Sequence, residues 1–139
     1  MSNALFTAHA TAKGGRNGHV KSDDGLIDLN LSMPTENPNE EGSNPEQLFA
    51  ATYAACYDGA LNLVASNKKK DIESTTTADV SFLKDPEDNG FKIGVTLNVN
   101  MSGVSQEEAE KLAENAHQVC PYSKATRGNI EVTLNAKAV

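Results

Sequence analysis

Cysteine is nearly absent from this chain: among 139 residues only Cys56 and Cys120 carry a thiol. Arginine is as scarce, with Arg16 and Arg127 alone. The cysteines form no C-x-x-C pair, which argues against a thioredoxin-like disulfide exchanger. His9, His19 and His117 have no ligand spacing among themselves or with the cysteines, so neither a metal nor another cofactor is expected. No apolar run approaches the ~18 residues that a membrane span requires. The opening "MSNALFTAHATAKGG" lacks the charged start and apolar segment of a signal peptide. The net charge of -7 and pI near 4.9 leave no clustered basic surface. Lys68–Lys70, the one basic run, reads as the C-terminal end of a helix. Neither nucleic acid nor an anionic membrane is therefore an expected partner. A soluble, cytoplasmic protein is the expectation, and in that compartment two cysteines are either inert or redox-active.

What is present reads as one domain, residues 1–139, large enough to bury roughly two thirds of its unfolded surface. The first third reads as strands: "LFTAHATAK", then "HVKSDDG" after the turn "GGRNG", then "LIDLNLS". In the last of these Ile27, Leu29 and Leu31 alternate with Asp28 and Asn30, the pattern of a half-buried strand. The segment "MPTENPNEEGSNP" reads as a polar loop.

Asn44 as N-cap, Pro45 at the first helical position and Glu46 at the positive dipole end then announce a helix. From Leu48 to Val64 it is apolar or small on nearly every side, the signature of a central helix without a wet face. Its small residues would admit a second helix closely, which points toward a subunit interface. A hairpin follows, with Val80 and Phe82 before the turn "DPEDNG" and Phe91, Ile93, Val95, Leu97, Val99 and Met101 on one face after it. Ser105 and Glu108 form a capping box for a second helix. Its buried stripe is Ala109, Leu112, Ala113, Ala116 and Cys120, and Pro121 stops it. A last strand alternates Ile130, Val132 and Leu134. The order β-β-β-α-β-β-α-β describes an α+β domain, with antiparallel sheets around a long apolar helix.

Cys56 falls inside a helix rather than at its N-terminus, so the dipole gives it little help. An ordinary thiol is only about 3% thiolate at pH 7, and an apolar helix raises its pKa further. Lowering that pKa by ~3 units takes roughly 4 kcal/mol of preferential stabilisation of the anion, which a fixed guanidinium can supply. Arg16, in a glycine-flanked turn, is one candidate; Arg127 reads as a solvated loop charge.

Three blocks, "GGRNGHVKSDDG", "NPEQLFAATYAAC" and "CPYSKATRGNIEVTL", together resemble the Ohr branch of the OsmC/Ohr family, the organic hydroperoxide resistance proteins. The resemblance runs almost the whole chain. It implies a thiol-dependent peroxidase working as an intertwined homodimer, with Cys56 peroxidatic and Cys120 resolving. Arg16 would hold the Cys56 thiolate and Glu46 would hold Arg16. The substrates it implies are organic, including lipid-derived, hydroperoxides, and the reductant is dihydrolipoamide or a lipoylated protein. Thr52, Tyr57 and Lys124 depart from the family pattern, and Tyr57 adjoins Cys56, where it could change the polarity of a pocket.

Further expectations concern the thiols and their neighbours. Pro121 leaves Cys120 on a frayed last turn, at a helix C-terminus that gives no help toward thiolate. On one continuous helix Glu46 and Cys56 lie ~15 Å apart along the axis. They could not then share one Arg16 head group, so each site would draw Glu46 from a partner helix unless the helix kinks. Asp58 reads as a helix-surface charge, and Tyr122 as packing beside Cys120. A thiol-based peroxide sensor and a small-molecule binding module without turnover are the alternative functions.

Overall fold

A computed structural model describes residues 3–36, 38 and 41–139. Asn37, Asn39 and Glu40 of the expected polar loop lie outside the described residues. The chain divides into two compact units, Met1–Leu48 and Phe49–Val139.

The first unit is an antiparallel meander of β1 (Ala10–Lys13), β2 (His19–Ser22) and β3 (Asp28–Asn30). A single 3-10 turn, Gly15–Asn17, joins the first two strands. Glycine is required on both sides of it. Gly14 has φ +81°, and a Cβ on Gly18 would stand 1.8 Å from the Lys13 carbonyl oxygen. Ile27 and Leu29 depart from expectation: both are exposed, and only Leu31 of the three is buried. Strands of three and four residues in a three-strand meander are too short to enclose an interior of their own. Leu31 then makes a parallel bridge with Ser43, and the Ser43 N–H donates to Asn30 O at 2.8 Å, which brings the chain to the first helix.

That helix, α1 (Pro45–Asn67), starts as its punctuation predicts: the Asn44 side chain accepts from the Gln47 N–H at 2.8 Å. In the second unit its Tyr53, Tyr57, Ala60, Leu61, Val64 and Ala65 enter the core. The expectation of a helix without a wet face is corrected. Ala51, Thr52, Ala55, Gly59, Asn62 and Leu63 are exposed, on a side of the helix that the rest of one chain leaves uncovered. Past Asn67 the lysine run closes the helix, as expected, with the Lys70 N–H on Ala65 O at 2.9 Å.

The second unit continues with the long hairpin of β4 (Glu73–Asp85) and β5 (Gly90–Ser102), in register from Glu73↔Ser102 to Asp85↔Gly90. Val95, Leu97, Val99 and Met101 are buried as their alternation requires, while Phe91 at the hairpin tip is exposed. Next, α2 (Gln106–Val119) opens on the expected Ser105–Glu108 capping box and buries Ala109, Leu112, Ala113 and Ala116. Pro121 does end it, but the same proline begins a further short helix, α3 (Pro121–Thr126), absent from the expected order. β6 (Val132–Ala138) then pairs with β5 in parallel, from Val95↔Val132 to Met101↔Ala138. This one pairing departs from the antiparallel expectation; two helices between β5 and β6 provide the crossover that a parallel pair needs.

Asp58 is not a free surface charge. Its Oδ1 accepts from Ser74 Oγ at 2.8 Å and Thr76 Oγ1 at 2.9 Å, and its Oδ2 from Asn62 Nδ2 at 3.3 Å. One carboxylate thus ties α1 to β4. Asp58→Ala is expected to cost about 2 kcal/mol and Thr76→Val about 1 kcal/mol in urea unfolding of the reduced protein. Equal midpoints for Asp58→Ala and the parent would show that the clamp contributes nothing.

Candidate active site

Two groupings stand out, one in each unit. In the first, Arg16 on its glycine-made turn forms a two-pronged ion pair with Glu46: Nη1 to Oε2 and Nη2 to Oε1, both 2.8 Å. Planar guanidinium and planar carboxylate match in this geometry, which points the side chain as well as neutralising it. Arg16 Nη1 also lies 3.8 Å from Met33 Sδ. The pairing raises the Arg16 pKa and, through the hydrogen bonds from Arg16, holds the Glu46 carboxyl below its ordinary range. Glu46 therefore pairs with Arg16 of its own chain.

In the second unit, Cys56 on α1 and Cys120 between α2 and α3 bring their sulfurs to 3.5 Å. Both thiols are reduced. Cys56 is partly exposed and Cys120 has no exposed surface. Cys120 differs from expectation here. It is no frayed end: it caps α2 with its N–H on Ala116 O at 2.8 Å, and its Sγ caps α3 by accepting the Ser123 N–H at 3.5 Å. The proline that stops one helix starts the next, so the cysteine is pinned from both sides.

The Cys56 thiol is pushed up first by burial; the Tyr122 backbone N–H draws it down, and Cys120 raises it. Among the described residues, no cation is one of these influences. Tyr57, the neighbour expected to alter a pocket's polarity, is buried and donates its hydroxyl to Ala113 O at 2.6 Å. Burial holds its phenol protonated well above the usual range. Tyr122 packs with Phe49 and Tyr53, ring centroids 6.0 and 5.8 Å away, in line with the packing expected of it.

A buried polar chain beneath Cys120 was not visible in the sequence. His117 Nδ1 lies 2.7 Å from Ser123 Oγ, which lies 2.8 Å from Tyr53 Oη, which lies 3.1 Å from Thr126 Oγ1. The Thr126 hydroxyl donates to Ser123 O at 3.2 Å. Each hydroxyl has one proton, so Tyr53 donates to Thr126, Ser123 to Tyr53, and His117 Nδ1–H to Ser123. Arg127 also departs from its solvated-loop reading, donating from Nη1 to His117 O at 2.6 Å. Single side chains of this kind carry no spacing signal. Only the register of α3 against α1 and α2 brings them together.

A family model described as OsmC-like protein matches residues 38–135. The chain belongs to this OsmC-like family. It is similar to the organic hydroperoxide resistance protein OhrB of Bacillus subtilis, 53% identical over 135 residues that cover 96% of this chain and 99% of the relative. It is also similar to OhrA of the same organism, 54% identical over 137 residues, covering 96% and 97%. The crystal structure of OhrB superposes with a TM-score of 0.92, covering 95% of this chain and 98% of that one. An organic hydroperoxide resistance protein from Legionella pneumophila, 48% identical, gives 0.91 over 99% of this chain and 100% of that one. The α+β fold is that of these structures.

His117 generates a pH prediction. Burial, its largest influence, lowers its pKa; Glu114 opposes this and Arg127 adds to it. A histidine depressed on folding stabilises the protein fully above its unfolded pKa of about 6.5, and that contribution disappears as pH falls through the folded value. His117→Asn keeps an N–H donor for Ser123 and cannot titrate. Between about pH 7.5 and pH 5.5 its urea midpoint should fall less than the parent's. Parallel curves would remove His117 from the account.

Proposed function

We propose that this protein is a thiol-dependent peroxidase that reduces organic hydroperoxides, alkyl and lipid-derived, to the corresponding alcohols. The observation that carries the reading is the 3.5 Å approach of two reduced cysteines 64 residues apart in sequence. The names of the relatives supply the substrate class.

The chemistry runs in three steps. The Cys56 thiolate attacks the terminal oxygen of ROOH; the O–O bond breaks, RO⁻ leaves and takes a proton to become ROH, and Cys56 becomes a sulfenic acid. The Cys120 thiol then condenses with it, forming the S–S bond and releasing water. The sulfurs move from 3.5 Å to the ~2.05 Å of a covalent disulfide, a short rotation. Dihydrolipoamide or a lipoylated protein finally returns both thiols by dithiol exchange.

Burial of Cys56 opposes the first step, so the reading requires a cation. Arg16, aimed by Glu46, is assigned that role. Glu46 and Cys56 lie ten residues apart on α1, ~15 Å along its axis. The pair bound to one subunit's Glu46 is therefore assigned to the thiolate of the other subunit in a homodimer. The small exposed residues of α1 suit such close approach of a second subunit. No helix of the described residues is long and apolar enough to cross a membrane, and the reading places the enzyme in the cytoplasm.

The test is turnover of cumene hydroperoxide with dihydrolipoamide as reductant, with thioredoxin and hydrogen peroxide in parallel. Cys56→Ser should fall to the uncatalysed background. Cys120→Ser should consume about one equivalent and stop, leaving a sulfenic acid that dimedone traps. Arg16→Ala should lower the first-step rate at pH 7 about thirtyfold, the ratio between a largely ionised thiol and one of ordinary pKa. Absence of turnover with every reductant, in folded and reduced protein, would leave a sensor or a binding module.

A further inference from the structure

Tyr53 and Cys56 lie three residues apart on α1, and Cys120 and Ser123 lie three residues apart across the start of α3, so each pair spans about one turn. The two segments meet at both levels. Cys56 Sγ stands 3.5 Å from Cys120 Sγ, and Tyr53 Oη stands 2.8 Å from Ser123 Oγ. These contacts are two rungs of one ladder, the first of sulfur and the second of oxygen. Tyr53, Ser123 and Cys120 have no exposed surface, so water does not compete for the oxygen rung. Two further contacts connect that rung to the sulfur. His117 Nδ1, 2.7 Å from Ser123 Oγ, fixes the serine side chain from α2, and the Ser123 N–H donates to Cys120 Sγ at 3.5 Å.

We propose that Tyr53 and Ser123 are positioning residues for disulfide formation: their hydrogen bond keeps the start of α3 in register with α1, so that Cys120 stays within reach of Cys56 whatever the oxidation state of the thiols. The place of this role in a catalytic cycle rests on the peroxidase reading; its effect on the dithiol–disulfide equilibrium does not. The sulfur rung is remade at every turn of such a cycle, as Cys56 gains an oxygen, the disulfide forms and a dithiol reduces it. The oxygen rung takes no part in the redox chemistry and persists throughout. Holding two reacting groups in place raises their effective concentration, and a directional hydrogen bond restricts sliding between two helices more sharply than apolar packing does.

A neighbouring bond of the same hydroxyl provides an internal control. Tyr53 Oη also lies 3.1 Å from Thr126 Oγ1, one turn further along α3 and away from Cys120. Thr126→Val removes that hydrogen bond from the same buried site and leaves the rung to Ser123. Tyr53→Phe removes the rung but keeps a ring to pack against Phe49 and Tyr122. Ser123→Ala removes it from the other side and keeps the backbone N–H to Cys120.

The experiment equilibrates the parent and these three variants, each confirmed folded by circular dichroism, with oxidised and reduced dithiothreitol. The disulfide fraction is read by alkylation and mass spectrometry. In this exchange the protein's two thiols lose two electrons and two protons to the cyclic disulfide, which becomes the dithiol. Tyr53→Phe and Ser123→Ala should reach half oxidation at a ratio of oxidised to reduced reagent about fivefold above the parent's, the factor that one hydrogen bond supplies. Thr126→Val should match the parent. In a single turnover with cumene hydroperoxide the same two variants should lose the Cys56 thiol at the parent's rate. They should then form the disulfide about fivefold more slowly, with more sulfenic acid trapped by dimedone. A half-oxidation ratio equal to the parent's in either variant, or a shift as large in Thr126→Val, would overturn the proposal. If one of the two variants fails to fold, the other decides alone by the same criterion. Shifted ratios without peroxide turnover would reject the peroxidase and keep the positioning role; turnover with unshifted ratios would do the reverse.

Discussion

Two sulfurs held at 3.5 Å without a covalent bond impose the constraint on which the rest of the second unit depends. A thiol pair of this kind must be close enough to condense and still free to separate, so neither cysteine can be left to a flexible end. Cys56 is held by a helix whose core face carries Tyr53, Tyr57, Leu61 and Val64, and whose Asp58 is bound to two hydroxyls of β4. Cys120 is held at a junction where it caps two helices at once. Both supports fix the separation that the two sulfurs must close.

The same enclosure that positions the thiols works against their chemistry. Burial raises the Cys56 pKa, and a peroxide needs the anion. The proposed reading answers this with two donors of different kind: a backbone N–H from Tyr122 and a guanidinium oriented by a carboxylate. The first comes with the fold of one chain. The second, by the length of α1, is assigned to a second subunit, which makes dimerisation part of the catalytic argument. Under this reading an isolated subunit would still bring its thiols together but would ionise Cys56 poorly.

Much of the architecture was legible because it repeats. The alternation from Phe91 to Met101 is a strand wherever it occurs, and Ser105 with Glu108 is a helix start. The errors fall where a signal is single or shared. Pro121 marks a stop and does follow the end of α2, but proline at the first position of a helix is also a start. The parallel pairing of β6 carries no pattern of its own, since parallel and antiparallel neighbours both alternate. Ile27 and Leu29 alternate as a half-buried strand should, yet a short meander gives them nothing to be buried by. The apolar circumference of α1 points to a helix without a wet face that could meet a second subunit, and one chain covers only part of it.

For the candidate site, the sequence by itself determined the chemistry that is possible. Two thiols that are either inert or redox-active, two guanidiniums and no metal-ligand spacing bound it, and the glycines around Arg16 mark a turn. Local patterns also placed Cys56 in a helix and Glu46 at that helix's start. Tertiary structure alone decided that the thiols meet, that Glu46 grips Arg16 with both oxygens, and that Cys120 is fastened rather than frayed. It alone assembled His117, Ser123, Tyr53 and Thr126 into one chain of hydrogen bonds. The reason is physical: helix caps and alternations are interactions between residues a few positions apart and leave a trace in spacing. Contacts across 30 to 73 positions depend on how the elements pack and leave none.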